Sequence, residues 1–350
     1  MTDLSFENSK IVIIGGAGFV GSNLCKLILK EHNPKKVMVI DNLLSSEKNN
    51  IPVDNKVEFL HGSIANDDIL KKMGHDEDFI FHLSTFHGNQ SSIENPIKDH
   101  ENNTLTTLKL MDFMKHSKQL KKLVYSAAGC SAAKKTYGAA AATTEEAPIS
   151  LVQDSPYSIS KVVGEFYSVY YHKQHKLPTV RARFQNVFGP GEILGAGEWR
   201  GTEHTVWRNV TPNFIYKSLN GERLPLYNGG DASRDFIYVD DICRGLIACA
   251  LKGTPGDVYN IASGLELSIK EWAELICEYT GNKGGFDLLP KRTWDTSGKR
   301  FGSTEKAKVE LGFEAKTPYL EGLKNTIEWT KNNMEMINRC ISKHDNHMKK

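Results

Sequence analysis

Short apolar runs alternate with stretches whose apolar residues recur every three or four positions through the first half of the chain. Residues 10–15, 36–40, 57–60, 79–83 and 122–125 are brief, rich in β-branched or aromatic residues, and read as buried strands. Residues 19–31, 104–115 and 157–172 carry helical spacing. Strands alternating with helices of this length predict βαβ units, hence a parallel sheet covered by helices on both faces. The pattern changes near Pro190. Residues 189–208 are irregular and rich in Gly, Trp and charge, as functional loops are. Beyond them the spacing predicts helices over 210–220, 241–251, 268–280 and 319–341, and a strand over 234–239. The polar end, 344–350, is expected to be disordered. The chain thus divides into residues 1–190 with a return segment at 234–262, a smaller lobe over 191–330, and a terminal stretch over 331–350.

Composition narrows the class. The 350 residues are 39% hydrophobic and 25% charged, ordinary for a globular protein, and folding a chain of this size buries roughly 75% of its extended surface. With 44 Lys and Arg against 42 Asp and Glu, the formal charge of +2 argues against a nucleic-acid or membrane-surface partner. No apolar run approaches the ~18 residues that span a bilayer. The six cysteines are scattered without ligand spacing and read as reduced thiols. Together with the polar opening residues they point to a cytoplasmic chain. His172 and His175 lack a third ligand, so no metal site is expected.

Gly15-Gly16-Ala17-Gly18-Phe19-Val20-Gly21 follows the first strand and opens the first helix. Residues without a Cβ let backbone N–H groups and the helix N-terminus approach a pyrophosphate. Asp41 ends the second strand, where a carboxylate can accept from a ribose 2′-hydroxyl and would repel a 2′-phosphate. Asn42-Leu43-Leu44 adds no base to receive such a phosphate, which favours NAD over NADP. Further along, Tyr157 and Lys161 stand at i and i+4 on one helix face. A phenol that titrates near ~10 becomes a usable base when an ammonium favours its anion.

With these motifs the chain resembles an extended short-chain dehydrogenase/reductase of the nucleotide-sugar epimerase/dehydratase family. The glycine pattern is similar to GxxGFxG, Asp41-Asn42-Leu43 to DNL, His82-Leu83-Ser84 to HLA, and residues 103–107 to NVxGT. Residues 186–190 resemble NVYGP, and residues 234–240 resemble RDFIYVxD. The resemblance implies a Rossmann-type doubly wound α/β fold with a smaller C-terminal substrate lobe, a bound NAD, and a nucleotide-diphosphate sugar as substrate. It places NAD against Gly15, Gly18, Phe19, Val20, Gly21, Asp41, Asn42, Ser63, Ile64, Leu83, Ser84, Thr85, Asn103 and Ser126, beside Tyr157 and Lys161. Asn186, Arg234 and Arg292 would hold the diphosphate. Helices 104–115 and 157–172 resemble the pair through which relatives form homodimers.

Three departures from the family pattern shape the function. Ser63 stands where the family has Asp against the adenine. Ala128 falls where a Ser or Thr hydroxyl polarises the sugar oxygen, so either Ser131 or a water substitutes, or the register is shifted. Gly129 and Cys130 replace the Asp-Glu pair of 4,6-dehydratases, which disfavours dehydration. Cys130 instead resembles the acid/base cysteine of 3,5-epimerases of the GDP-mannose type. Gly197-Glu198-Trp199-Arg200-Gly201 is similar to their GTWKG loop, with Arg200 in place of Lys. The loop bearing Arg200, His204, Trp207 and Arg208 either covers the substrate or packs as a surface loop. The leading expectation is a 4-epimerase working through transient C4 oxidation. A Cys130-dependent 3,5-type epimerase, a net 4-dehydrogenase and a non-catalytic NAD-binding regulator are the alternatives.

Overall fold

The computed structural model describes residues 4–132, 136–296 and 298–349, with the side chains of Cys130 and Ser131 outside that description. A seven-stranded sheet contains β1 (Lys10–Ile14), β2 (Lys36–Asp41), β3 (Val57–His61), β4 (Phe79–His82), β5 (Lys122–Ala128), β6 (Thr179–Phe184) and a last strand, Val258–Ile261. Their order is Val258–Ile261, β6, β5, β4, β1, β2, β3, and every pairing is parallel. Strand order reverses between β1 and β4, and such a switch point opens a crevice at the carboxyl ends of the strands.

Alternation along each strand sorts its side chains. Ile11 and Ile13 pack with Leu24, Val37 and Val39 on one face, whereas Val12 and Ile14 pack with Met38, Ile40 and Leu110 on the other. Helices Phe19–Glu31 and Val239–Lys252 cover the first face, and Leu105–Met114 and Pro156–His175 the second. The doubly wound sheet expected from the apolar runs is therefore present.

Helix Pro156–His175 has a built start. The Ser155 hydroxyl accepts from the Ser158 N–H at 3.2 Å, and Pro156 occupies the first turn. Gly164 lies flush on β5, where any Cβ would run into the Tyr125 phenol. One turn past Lys161, buried Glu165 receives Arg183 of β6 in a two-pronged pair at 2.9 and 3.0 Å. This fixes the helix to the sheet.

Beyond β6 three two-stranded ladders form, Asn186–Phe188 with Phe236–Tyr238, Leu224–Tyr227 with Phe286–Leu289, and Ser233–Arg234 with Leu267–Ser268. Trp272 anchors this region, stacked on Phe236 at 4.4 Å and donating to Thr211 Oγ1 at 3.0 Å.

Several expectations move. The strand over 122–125 runs on to Ala128. The strand over 234–239 is broken at Asp235, whose buried carboxylate accepts from the Ser263 N–H and hydroxyl and the Gly264 N–H. Helix 104–115 is Leu105–Met114, preceded by a π-helical turn at His100–Thr104. Helix 319–341 breaks at Asn333 into Tyr319–Asn332 and Met334–Ser342.

Part of the tail expected to be disordered is packed. His344 is 3% exposed with Nε2 2.9 Å from the Gly195 carbonyl, and His347 stacks on Trp199 at 4.9 Å. Its partners lie about 150 residues earlier, in the irregular stretch, where Ile193, Leu194, Ala196 and Val206 bury against Ile337, Cys340 and Ile341. Among the described residues no helix is long and apolar enough to cross a membrane.

Candidate active site

One continuous cleft runs from the glycine turn across the ends of β1, β4 and β5 into the region beyond β6. At its first end, Gly15 sits at φ +81° with no room for a Cβ against the Ser84 backbone, and a Cβ on Gly21 would meet the Gly15 carbonyl. Gly18 caps helix Phe19–Glu31 without any side-chain hydrogen bond, so the first-turn N–H groups face the cleft uncapped. Asp41 closes the turn. One carboxylate oxygen accepts from the Ala17 N–H at 3.0 Å, the other from the Leu43 N–H at 2.8 Å and the Ser46 hydroxyl at 2.9 Å. Burial pushes its pKa up, and these three donors counter the shift. Asn42, Ser63, Ile64, Leu83, Ser84 and Thr85 line the same end.

Asn103 does not. It stands behind the wall, accepting from the Phe86 N–H at 2.6 Å and donating to Asp99 Oδ1 at 2.7 Å. The π-helical turn that carries it aims the amide at the loop after β4, so it positions that loop rather than lining the cleft. Burial raises the Asp99 pKa to about 6.

At the centre Tyr157 and Lys161 share the cleft-facing side of their helix. Lys161 is 4% exposed, and its Nζ donates to the Ser126 carbonyl at 2.9 Å and the Ser126 hydroxyl at 3.4 Å. The ammonium lies 5.8 Å from the Tyr157 ring centroid. Ala128 ends β5 on the cleft wall and offers no hydroxyl. Cys130 and Ser131 follow in the short helix Gly129–Ala132, and their side chains lie outside the described residues.

His87, which sequence reasoning missed, meets the Tyr157 ring edge-on with centroids 5.7 Å apart. Its Nδ1 has no hydrogen-bond partner among the described residues. Desolvation, then the charges of Arg208, Arg200 and Lys161, push its pKa down to about 3, so the ring is neutral and only weakly basic.

The far end is basic and aromatic. Arg292 lies 3.8 Å over the Tyr227 ring and 5.8 Å from Trp294. Arg234 donates to the carbonyls of Ser233 and Gly298 at 2.7 and 2.6 Å. Both line the cleft with Asn186 and with Arg300, a cation the sequence reading left out. His204, Trp207 and Arg208 also line it, so part of the irregular stretch does cover the cleft. Arg200, expected to touch substrate, is instead set back. It packs over Phe86 at 5.9 Å, is 3% exposed, and leaves Nε and Nη1 without partners among the described residues. Burial and neighbouring Arg208 lower its pKa to about 9. The backbone of the loop turns its side chain inward, a direction that spacing along the sequence does not encode. Among the described residues no group of three or more His, Cys, Asp or Glu could hold a metal ion.

Residues 11–262 match the profile of the NAD dependent epimerase/dehydratase family. The chain belongs to that family. Similar solved structures include the Bordetella bronchiseptica enzyme WbmF in complex with NAD+, 57% identical, with 98% of each chain covered and a TM-score of 0.87. WbmF has also been crystallised with NAD+ and UDP. The epimerase Mth375 of Methanothermobacter thermautotrophicus is 36% identical with 95% of each chain covered and a TM-score of 0.87. A putative UDP-glucose 4-epimerase of Methanocaldococcus jannaschii is 28% identical over 92% of this chain and 99% of its own.

NAD, the cofactor of this epimerase/dehydratase family, fits the residues present. The Cβ-free turn and uncapped helix start form a cradle for a pyrophosphate, and Asp41 presents a carboxylate at the end of β2. The loop after Asp41 carries no Lys or Arg through Glu47.

Proposed function

We propose that the protein is a nucleotide-sugar epimerase that inverts C4 of a nucleoside-diphosphate hexose through a transient 4-keto sugar. The observation that carries this reading is the placement of Tyr157 and buried Lys161 on one face of a helix, both lining the cleft that begins at the glycine turn. In this reading the Tyr157 oxygen takes the proton of the C4 hydroxyl and returns it after the keto sugar has turned over. Lys161, fixed by the Ser126 carbonyl, keeps a positive charge beside the phenol. When bound, NAD accepts the C4 hydride and gives it back to the opposite face, so no net oxidation results. Arg234, Arg292 and Arg300 would receive the diphosphate, for which guanidinium donors suit the oxygens. A uridine nucleotide is the first candidate, given the UDP bound by WbmF.

Purified protein incubated with UDP- and GDP-hexoses tests this by NMR. C4 inversion without added stoichiometric NAD is expected. NADH accumulating without inversion would make the protein a net dehydrogenase instead.

A second reading rests on Ala128 and Cys130. Among the described residues the last position of β5, Ala128, brings no hydroxyl to the cleft. That suits exchange of a C–H proton beside an existing keto group, with Cys130 as the acid/base. Solvent deuterium entering a 4-keto sugar, and lost in Cys130→Ala, would favour it over C4 oxidation. We also propose a homodimer through helix Pro156–His175, whose exposed Ile159, Phe166 and Tyr170 fall on one outward side.

A further inference from the structure

The loop 42–47 follows Asp41 and covers the glycine-turn end of the cleft, which Asn42, Leu44, Ser45 and Ser46 line. Two distant parts of the chain meet on its outer side. From the irregular stretch, the Glu198 N–H donates to the Leu44 carbonyl at 2.9 Å, and Arg208 donates to the Ser45 carbonyl at 3.3 Å. The Gly197 N–H donates to Glu47 Oε1 at 3.2 Å. The same oxygen accepts from Cys340 Sγ at 3.7 Å, in helix Met334–Ser342, and from Nζ of its C-cap residue Lys343 at 2.6 Å. Glu47 thus joins the cofactor-side loop, the irregular stretch and the C-terminal helix at one carboxylate oxygen.

The contact has no slack. Gly195 at φ +70° and Gly197 at φ +84° have no room for a Cβ, the first against the Cys340 carbonyl and the second against the Leu44 carbonyl. Behind them the apolar cluster of Ile193, Leu194, Val206, Ile337 and Ile341 holds the helix to the stretch, and His344 bonds the Gly195 carbonyl at 2.9 Å. For a dinucleotide seated on the glycine turn to leave past this loop, the loop must part from Glu198, Gly197 and Lys343 together.

We infer that Glu47 is a positioning residue that keeps loop 42–47 shut over the adenosine end of NAD, and that the C-terminal helices retain the cofactor between turnovers by acting through it. This deepens the reading above, which needs NAD to stay bound while the keto sugar turns, and it rests on that reading only for this purpose.

The test is the rate at which holoenzyme loaded with NADH loses its bound-cofactor fluorescence when chased with excess NAD+, in the absence of any sugar. Glu47→Ala and Gly197→Ala are expected to speed release by about ten-fold, equivalent to about 1.4 kcal/mol. Glu47→Gln keeps an acceptor for the Gly197 N–H while losing the charge that faces Lys343, so its rate should fall between. Gly281→Ala, at φ +75° with open space around it, places the same backbone strain elsewhere and should match wild type. Lys343→Met, a change at a half-exposed position, reads the same contact if the other variants fold poorly, and should release NADH several-fold faster. Wild-type release rates in Glu47→Ala and Lys343→Met would overturn the inference, whatever their melting temperatures. Since no sugar is present, failure of C4 inversion would leave this result standing, and the converse also holds.

Discussion

The imidazole of His87 meets the ring of Tyr157 edge to face, with centroids 5.7 Å apart and planes at 67°. The loop after β4 and the helix after residue 155 converge there, and the contact sets a neutral imidazole beside the phenol. Because the His87 pKa falls from 6.5 to about 3 on folding, the unfolded chain binds the extra proton first. Its contribution to stability is complete above pH 6.5 and is lost as the pH drops toward 3, at up to about 1.4 kcal/mol per pH unit. In urea unfolding, the stability difference between wild type and His87→Asn should therefore shift by about 1 kcal/mol against wild type between pH 7.5 and pH 5.5. An unchanged difference would mean that the imidazole charges freely in the folded protein.

Tyr157→Phe removes only the hydroxyl and leaves the Tyr157 N–H on Ser92 Oγ at 3.1 Å. It should lower kcat for C4 inversion by about a hundred- to ten-thousand-fold with NAD still bound. Inversion at the wild-type rate would remove the phenol from the mechanism.

Lys161→Met should cost more than turnover. Losing Nζ leaves the buried Ser126 carbonyl without that donor, a loss of about 1–3 kcal/mol in unfolding free energy. A drop in kcat with unchanged stability would show that the ammonium does not serve as the strut its geometry describes.

Ala128→Ser supplies a hydroxyl at the cleft wall where the family pattern has one. If C4 oxidation is the working step, single-turnover reduction of bound NAD by a substrate hexose should become several-fold faster. No gain would favour proton exchange beside a pre-formed ketone.

Phe166→Glu places a carboxylate in the exposed apolar row of helix Pro156–His175. By sedimentation the variant should run at the mass of one chain while wild type runs at two, with the single-chain melting behaviour intact.

The parts legible in the sequence are those whose signal is local. The glycine turn shows within seven residues because strand, turn and helix start are contiguous, and Tyr157 and Lys161 show because one helical turn brings them together. The sheet was legible because strands buried on both faces must be apolar throughout. His87 and Arg300 were not, since their place depends on which loops meet at the ends of parallel strands. Asn103 matched a motif, yet the π-helical turn at His100–Thr104 directs its amide to Phe86 rather than to the cleft. Arg200 fell in the right loop but turned inward over Phe86. The packed part of the tail was hidden for a different reason. A polar segment looks unpartnered until Trp199 and the Gly195 carbonyl arrive from far up the chain.

The buried pair between Glu165 and Arg183 has one more implication. Tyr157 and Lys161 ride on the helix that Glu165 anchors, and the strand bearing Arg183 leads directly to Asn186 on the cleft wall. The phenol and Asn186 are thus bolted to a common chassis. If the proposed inversion is the reaction, the hexose is what swivels against that stationary jig.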